Sequence, residues 1–347
     1  MSYSAAPEIS NLSPFVAEPL ALADEDGRSL LVIVVKATFS LGQDSAVSLA
    51  PKQRGVDLVG RFVGDPACSS CIDEPECAFF KPGTDVVLHA RAFAPHAGAC
   101  EMSVGLRVGS LLKVVQVVGD RHWWKPTLGV PRLTPPEPFE RMPLVYERAF
   151  GGWDRHNPDP TRHAFEPRNP AGTGFLTRWH HEAQPLRAPN IEDPAHRLSD
   201  IAQQPPPAGF GFVAPHWRPR ANLAGTYDER WTRTRKPLLP QDFDRRFFNA
   251  ASTGLVAPGH LAGNEPVLAL GVTPGGRLSF ALPGVRPPEV DVRLRGRGPQ
   301  RPSMCLDTVL IDVVAMELVL TWRGHLAVAE LPRDVVAVVV RADWPPH

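Results

Sequence analysis

The chain has 347 residues, of which 43% are hydrophobic and 21% charged, and this composition excludes global disorder. Lys and Arg together number 37 and so do Asp and Glu, so the zero formal charge argues against nucleic acid or anionic lipid as the main partner. No apolar run approaches the roughly 18–20 residues of a membrane span, and the first residues lack the pattern of a secretory signal. Five cysteines, an odd number in a long chain, do not indicate a disulfide framework. We therefore expect a soluble, cytoplasmic protein.

Proline and glycine are unusually abundant, with 39 and 28 residues. Proline removes a backbone donor and interrupts helices, so this composition disfavours a helical bundle and a regular βαβ sheet. The prolines are interleaved with Trp and Phe rather than gathered in low-complexity runs. The sequence therefore predicts ordered but irregular loops between strands, with little helix.

Strand patterns dominate the first third of the chain. Residues 28–41, RSLLVIVVKATFSL, form a continuous apolar run that is typical of a buried strand. Residues 85–95 alternate in side-chain character with the period of two that strands require. Residues 101–120 predict a β-hairpin whose turn is Gly109-Ser110.

The middle third, residues 120–250, has almost no long periodic segment, although 198–203 suggests a short helix. Six of the eight tryptophans lie here: Trp123, Trp124, Trp153, Trp179, Trp217 and Trp231. Because each large aromatic side chain can bury roughly 150–250 Å², we expect these loops to pack on the sheets.

Strand patterns return in the last third. Residues 266–284 predict a hairpin around 273–276, and residues 290–296 and 334–344 are also strand-like. Residues 308–331 predict two strands that are separated by a turn at Arg323-Gly324-His325. The fold class is therefore predicted as mainly β, with antiparallel, β-sandwich-like sheets and long Pro/Gly/Trp-rich ordered loops.

Acidic residues of the middle third raise the possibility of catalysis. Asp228, Asp242 and Asp244 could supply the two carboxylates of a carbohydrate-active hydrolase on a β-sandwich. Residues 215–252 hold seven Arg and one Lys against four acidic residues, however, so most carboxylates should be ion-paired and poor general acids. Structural Arg–Asp networks are the favoured interpretation, and no catalytic residue is assigned.

Three cysteines lie close together in ACSSCIDEPEC, residues 67–77: Cys68, Cys71 and Cys77. A tetrahedral zinc site needs four ligands, and Cys100, His89 or His96 could complete it. There is no second C-x₂-C pair, so three reduced thiols or a local disulfide remain the simpler interpretation. Apart from this possible zinc, the sequence predicts no cofactor.

Several motifs occur in a characteristic order: GDRHWW (119–124), YERAFGGWD (146–154), NPAGTGF (169–175), the block 215–250 and TVLIDVVAMELVLTWRG (308–324). With them, the chain resembles the bacterial family called domain of unknown function 2169 over roughly residues 10–330. The resemblance implies one family domain, with a β-rich part (10–120), an irregular aromatic and Arg-rich part (121–250) and a second β-rich part (251–347).

The same resemblance implies an accessory role in type VI secretion. Family members are regarded as adaptors or chaperones that help to load an effector with a PAAR-type tip domain onto the VgrG spike, and no catalytic residues are attributed to them. Trp and Arg are frequent in interface hot spots, so we expect five residues of the middle third to bind the client: Trp217, Arg218, Arg220, Tyr227 and Trp231. The alternatives are the hydrolase and a structural component of the spike.

Overall fold

The computed structural model describes residues 8–42, 46–126, 128–179, 185–331 and 333–345. The strands of the first half are β1 (Glu8–Asn11), β2 (Val16–Ala23), β3 (Ser29–Leu41), β4 (Val47–Leu49), β5 (Arg61–Phe62), β6 (Cys71–Asp73), β7 (Asp85–His89), β8 (Arg91–Phe93), β9 (Glu101–Val108), β10 (Leu111–Val118), β11 (His122–Trp124), β12 (Arg132–Leu133) and β13 (Arg141–Pro143). Those of the second half are β14 (Phe150–Gly151), β15 (Trp153–Asp154), β16 (Ala164–Phe165), β17 (Thr173–Gly174), β18 (Leu186–Arg187), β19 (Ile191–Glu192), β20 (Pro266–Leu270), β21 (Arg277–Ala281), β22 (Glu289–Leu294), β23 (Cys305–Asp312), β24 (Glu317–Ala327) and β25 (Val335–Arg341).

The fold is mainly β, as the sequence predicts. Among the described residues, α1 (Glu229–Thr234) is the α-helix, and 3-10 helices lie at Tyr146–Arg148, Pro160–Arg162, Arg220–Ala224 and Arg245–Phe248. None of these helices is long and apolar enough to cross a lipid bilayer. The predicted short helix at 198–203 is wrong, because these residues form a turn in which the Gln203 side chain accepts from the backbone N–H groups of Ser199 and Asp200.

The largest sheet has the order β2-β3-β24-β23-β7, with β4 paired to β3. Its pairs are antiparallel except for β7, which runs parallel to β23. A five-stranded sheet, β19-β10-β9-β20-β21, contains both predicted hairpins, whose turns lie at Gly109-Ser110 and at 271–276 as the sequence indicates. A three-stranded sheet, β1-β25-β22, joins the two ends of the described chain.

Strand β3 is buried on both faces, which explains its continuous apolar run. One face, which includes Ile33 and Phe39, enters the main core together with side chains of the five-stranded and three-stranded sheets. The other face, with Val32 and Val34, forms a second core with Phe79. Residues 225–248, which we call the α1 segment, contribute to this second core and are therefore packed against the large sheet.

The predicted turn at Arg323-Gly324-His325 is wrong, because β24 runs straight through these residues. The reversal lies earlier, at 313–316, where Met316 takes a positive φ of 54°. Gly324 serves close packing instead: a Cβ at this position would lie 2.4 Å from the Met304 sulfur. Glycine in a strand can mark either a bend or a close approach, and only the tertiary contact distinguishes the two.

Candidate functional site

Two of the five residues predicted to bind a client are buried. Trp217 is fully buried in the main core, with its ring edge-to-face against Tyr146 at a centroid distance of 5.3 Å. Arg220 is 5% exposed, and its guanidinium pairs with Glu74 and donates to the carbonyls of Phe247 (2.7 Å) and Val213 (2.8 Å). The prediction of a surface role is therefore corrected for both: Trp217 fills the core, and Arg220 connects three loops.

The other three residues reach the surface. Arg218 is exposed, Tyr227 is 53% exposed and Trp231 is half-buried. The rings of Tyr227 and Trp231 contact each other edge-to-face with a centroid distance of 4.8 Å. The Trp231 indole N–H donates to the carbonyl of Leu238 at 2.8 Å, so the indole has a fixed orientation while part of its ring stays accessible.

Local capping builds this surface. The carboxylate of Asp228 accepts from the Trp231 backbone N–H at 2.8 Å and so begins helix α1. The carboxylate of Asp242 accepts from the backbone N–H and the hydroxyl of Thr226, at 3.0 and 2.7 Å. These bonds hold together the walls of an open cleft of about 300 Å³. It is lined by Thr226, Asp228, Arg230, Trp231, Thr234, Arg235, Gln241 and Asp242.

The α1 segment is held against the turn between β2 and β3. Arg235 donates to the Asp26 carboxylate at 2.7 Å and to the Glu25 carbonyl at 3.0 Å. Arg245 pairs with the Glu25 carboxylate at 2.5 Å. Leu238 lies so close to Gly27 that a Cβ on that glycine would be 2.6 Å from a Leu238 methyl carbon. The exposed Tyr227–Trp231 pair thus lies on a segment with a fixed position.

The three aspartates of the hydrolase alternative all have structural partners. Asp244 caps the 3-10 helix Arg245–Phe248 and pairs with Arg246, while Asp228 and Asp242 make the capping bonds described above. The pKa of Asp242 is lowered by the hydrogen bonds from Thr226, and that of Asp244 by the bond from Arg246. A general acid needs a raised pKa. Asp228 and Asp242 do line one cleft, which is the observation in favour of this alternative.

The predicted zinc site is not formed. The Cys71 thiol is buried and lies 3.3 Å from the Asp73 carbonyl, whereas Cys77 is exposed and its thiol lies 3.3 Å from the Leu58 carbonyl. Pairing of β5 with β6 turns Cys71 inward. Among the described residues, no group of three or more His, Cys, Asp and Glu side chains could hold a metal ion, and Cys68, Cys100 and Cys305 are also free thiols.

Sequence analysis missed a set of buried ion pairs beside the large sheet. Residues 73–81 lie against this sheet, and the charged groups of the set pair as Lys36–Glu76 (2.8 Å), Lys81–Asp85 (2.9 Å) and Arg323–Asp307 (2.6 Å). Lys36 and Arg323 come from apolar strands, in which an inward-facing charge is unexpected. The available signal was the group of charged residues in DEPECAFFKPGTD, residues 73–85, where four acidic residues surround one lysine.

Comparison with known families finds a match over most of the chain. A model described as "Uncharacterized protein conserved in bacteria (DUF2169)" matches residues 26–323, which is most of the chain. Comparisons with curated proteins and with solved structures find no match. The matched range includes the α1 segment, the buried ion pairs and both predicted hairpins.

Proposed function

The chain belongs to the uncharacterized bacterial family DUF2169, and we propose that it acts as a non-enzymatic adaptor of type VI secretion. In this role it binds, in the cytoplasm, an effector that carries a PAAR-type tip domain and helps to load this effector onto the VgrG spike. The resemblance carried by the ordered motifs supports the proposal.

The observation that carries the proposal is the exposed aromatic and basic surface of the α1 segment. Tyr227 and Trp231 form a partly accessible aromatic pair, and Arg230 adds an exposed basic side chain; Arg218 is also exposed, ahead of the segment in the chain. Tyr, Trp and Arg are the residues that most often dominate binding energy at interfaces. Because Arg235 and Arg245 hold the segment in place, little conformational entropy is lost when a client binds.

The ordinary roles of the carboxylates favour binding over catalysis. Each aspartate of the hydrolase alternative accepts a backbone hydrogen bond near a loop or helix end. The hydrogen bonds from Thr226 and Arg246 lower the pKa of Asp242 and Asp244 and so favour the ionised form of both, which suits neither a proton donor nor a pair that shares one proton.

The test is co-purification of the full chain with its candidate effector from the native bacterium, comparing Tyr227→Ala and Arg230→Ala with the unmodified chain. We expect each substitution to weaken capture of the effector about tenfold or more, since hot-spot truncations cost about 2 kcal/mol or more. The matched control is Phe165→Ala. Phe165 is 42% exposed and stacked on Trp153 at 4.6 Å, so it is an accessible aromatic outside the α1 segment.

Equal capture by all of these variants would reject the α1 surface as the binding site. If the chain itself travels with secreted spikes, it is a structural component rather than an adaptor. Turnover of a polysaccharide that is abolished by Asp228→Asn or Asp242→Asn would establish the hydrolase alternative.

A further inference from the structure

Two adjoining cavities lie where residues 79–81 cross the ends of β3 and β24. The inner cavity has a volume of about 130 Å³, and the outer one, which opens beside the β2–β3 turn, has about 330 Å³. Both are lined by Phe79, Phe80 and His325, so the two cavities share an aromatic wall. The inner volume is close to the roughly 150 Å³ of a protein cavity that binds benzene.

Arg323 lines the inner cavity and has unused hydrogen-bonding capacity. Arg323 is only 4% exposed. Its Nε donates to the Asp307 carboxylate at 2.6 Å, and its Nη1 donates to the carbonyls of Glu76 and Ala78, both at 2.8 Å. Nη2 is buried and has no hydrogen-bond partner among the described residues. Because a buried donor without a partner is destabilising, an acceptor at this nitrogen would stabilise the site.

The charges that line the two cavities are mainly positive. Lys81 and Arg323 line the inner cavity with Asp307, and Arg28 and Arg245 line the outer one with Asp24, which makes four basic side chains against two carboxylates. The further partners Asp26, Asp85 and Glu25 lie outside the lining, so each of the four basic groups has a carboxylate partner and the excess of positive charge is confined to the cavity walls. Arg245 also lies over Phe79 and Phe80, with its Cζ 5.8 Å from each ring centroid. The combined groove therefore joins aromatic walls to basic groups.

The geometry points to a binding site for a carboxylate that is carried on a short apolar chain, with the carboxylate at Nη2 of Arg323 and the apolar body between Phe79 and Phe80. Guanidinium is the side-chain group best suited to carboxylate recognition. The inner volume accommodates a body of roughly four to six carbons. This site is separate from the Tyr227–Trp231 surface and does not depend on the role proposed for that surface.

The first test is calorimetric titration of the full chain with hexanoate, and with hexanamide as a neutral control of the same shape. We expect hexanoate to bind at least about tenfold more tightly than hexanamide, since a hydrogen bond to a charged group is the stronger one. Equal binding of the two, or binding of neither, would overturn the proposal.

Alkylation gives an independent readout, because Cys305 lines the inner cavity whereas Cys77 is exposed outside it. Hexanoate at saturation should slow the reaction of Cys305 with iodoacetamide at least about fivefold and leave Cys77 unchanged, as measured by peptide mass spectrometry. Unchanged reactivity of Cys305 would place the ligand elsewhere and so contradict the assignment.

Two variants test the residues. Arg323→Gln should reduce hexanoate affinity about tenfold to a hundredfold, provided that the chain still folds. Ser303, an exposed residue of the inner lining, offers a variant that leaves the ion pairs intact: Ser303→Trp should fill the cavity and abolish binding. The control is Ser110→Trp in the exposed β9–β10 turn. Hexanoate binding that survives Ser303→Trp would refute the site.

The carboxylate could belong to a free organic acid or to the C-terminus of a polypeptide. A further titration distinguishes these two sources. A tetrapeptide ending in leucine is titrated as the free acid and as the C-terminal amide. Tighter binding of the free-acid peptide than of hexanoate identifies a chain terminus as the natural ligand, whereas binding of hexanoate alone identifies a small acid.

Discussion

Arg218 and Arg220 are two positions apart, yet their side chains should contribute very differently to stability. Replacing Arg220 with Ala removes the buried pair with Glu74, whose side chain is 9% exposed, together with the bonds to the carbonyls of Val213 and Phe247. Removing one partner of a buried ion pair typically costs 3–5 kcal/mol, because the other charge stays buried without compensation. We therefore expect Arg220→Ala to lower the free energy of unfolding by about 4 kcal/mol. Arg218→Ala, at an exposed side chain, should lower it by about 0.5 kcal/mol or less.

The assay is urea unfolding followed by tryptophan fluorescence, which is suitable because Trp217 is buried beside this pair. A loss of about 4 kcal/mol is a large share of the 5–15 kcal/mol that stabilises a typical domain. With a urea dependence of about 3 kcal/mol/M, the midpoint should fall by more than about 1 M.

A double variant identifies the cause. Glu74→Gln in the Arg220→Ala background removes the uncompensated charge and should recover about 2 kcal/mol. If Arg220→Ala unfolds within about 1 kcal/mol of Arg218→Ala, or if Glu74→Gln recovers nothing, the assignment of Arg220 as a structural anchor is refuted.

Three further predictions concern backbone packing, pH and thiol chemistry. Gly119→Ala should lower the free energy of unfolding by about 1–3 kcal/mol in the same assay, because a Cβ there would lie 1.7 Å from the Glu137 carbonyl oxygen. The control Gly55→Ala, with open space around it, should have little effect, and equal effects of the two substitutions would contradict the overlap. Burial lowers the pKa of Lys113 from its ordinary 10.5 to about 8, so between these values the unfolded chain binds more protons than the folded one. The free energy of unfolding should therefore rise with pH across that window, by about 3 kcal/mol in total, and a Lys113→Met variant that kept the same rise would disprove this origin. Cys77 should react with iodoacetamide well before Cys71, since Cys71 is buried and burial raises the pKa of its thiol. Added zinc should protect neither thiol, and protection by one equivalent of zinc would re-establish the metal site.

Hairpins and buried strands were predictable because their signals are local. The Gly109-Ser110 turn and the glycines at 275–276 specify reversals through a few adjacent residues, and the strand Ser29–Leu41 follows from composition alone. The turn predicted at Gly324 is wrong because that glycine makes room for Met304, just before β23, and a single segment of sequence does not contain this contact.

The candidate site was predictable only in part. The aromatic and basic composition of 215–250 drew attention to Tyr227, which is exposed, and to Trp231, which is half-buried, yet composition cannot distinguish these from Trp217, which enters the core. Cysteine spacing suggested zinc, but Cys71 is buried within the β5–β6 pair whereas Cys77 is exposed in the loop that follows it. The Arg323 cavity needs residues from opposite ends of the chain and has no local signal.

The polypeptide is synthesised from its N-terminus, and several strands cannot complete their pairing until residues far along the chain have been made. Strand β1 hydrogen-bonds to β25, β3 to β24 and β7 to β23, so each of these early strands pairs with a strand that is synthesised much later. Pairing of such distant segments makes assembly slow and leaves strand edges unpaired in the meantime. The hairpins β9–β10 and β2–β3 can form early on their own, but the large sheet closes only after β23 and β24 have been synthesised, and until then the edge of β3 that faces β24 stays unpaired.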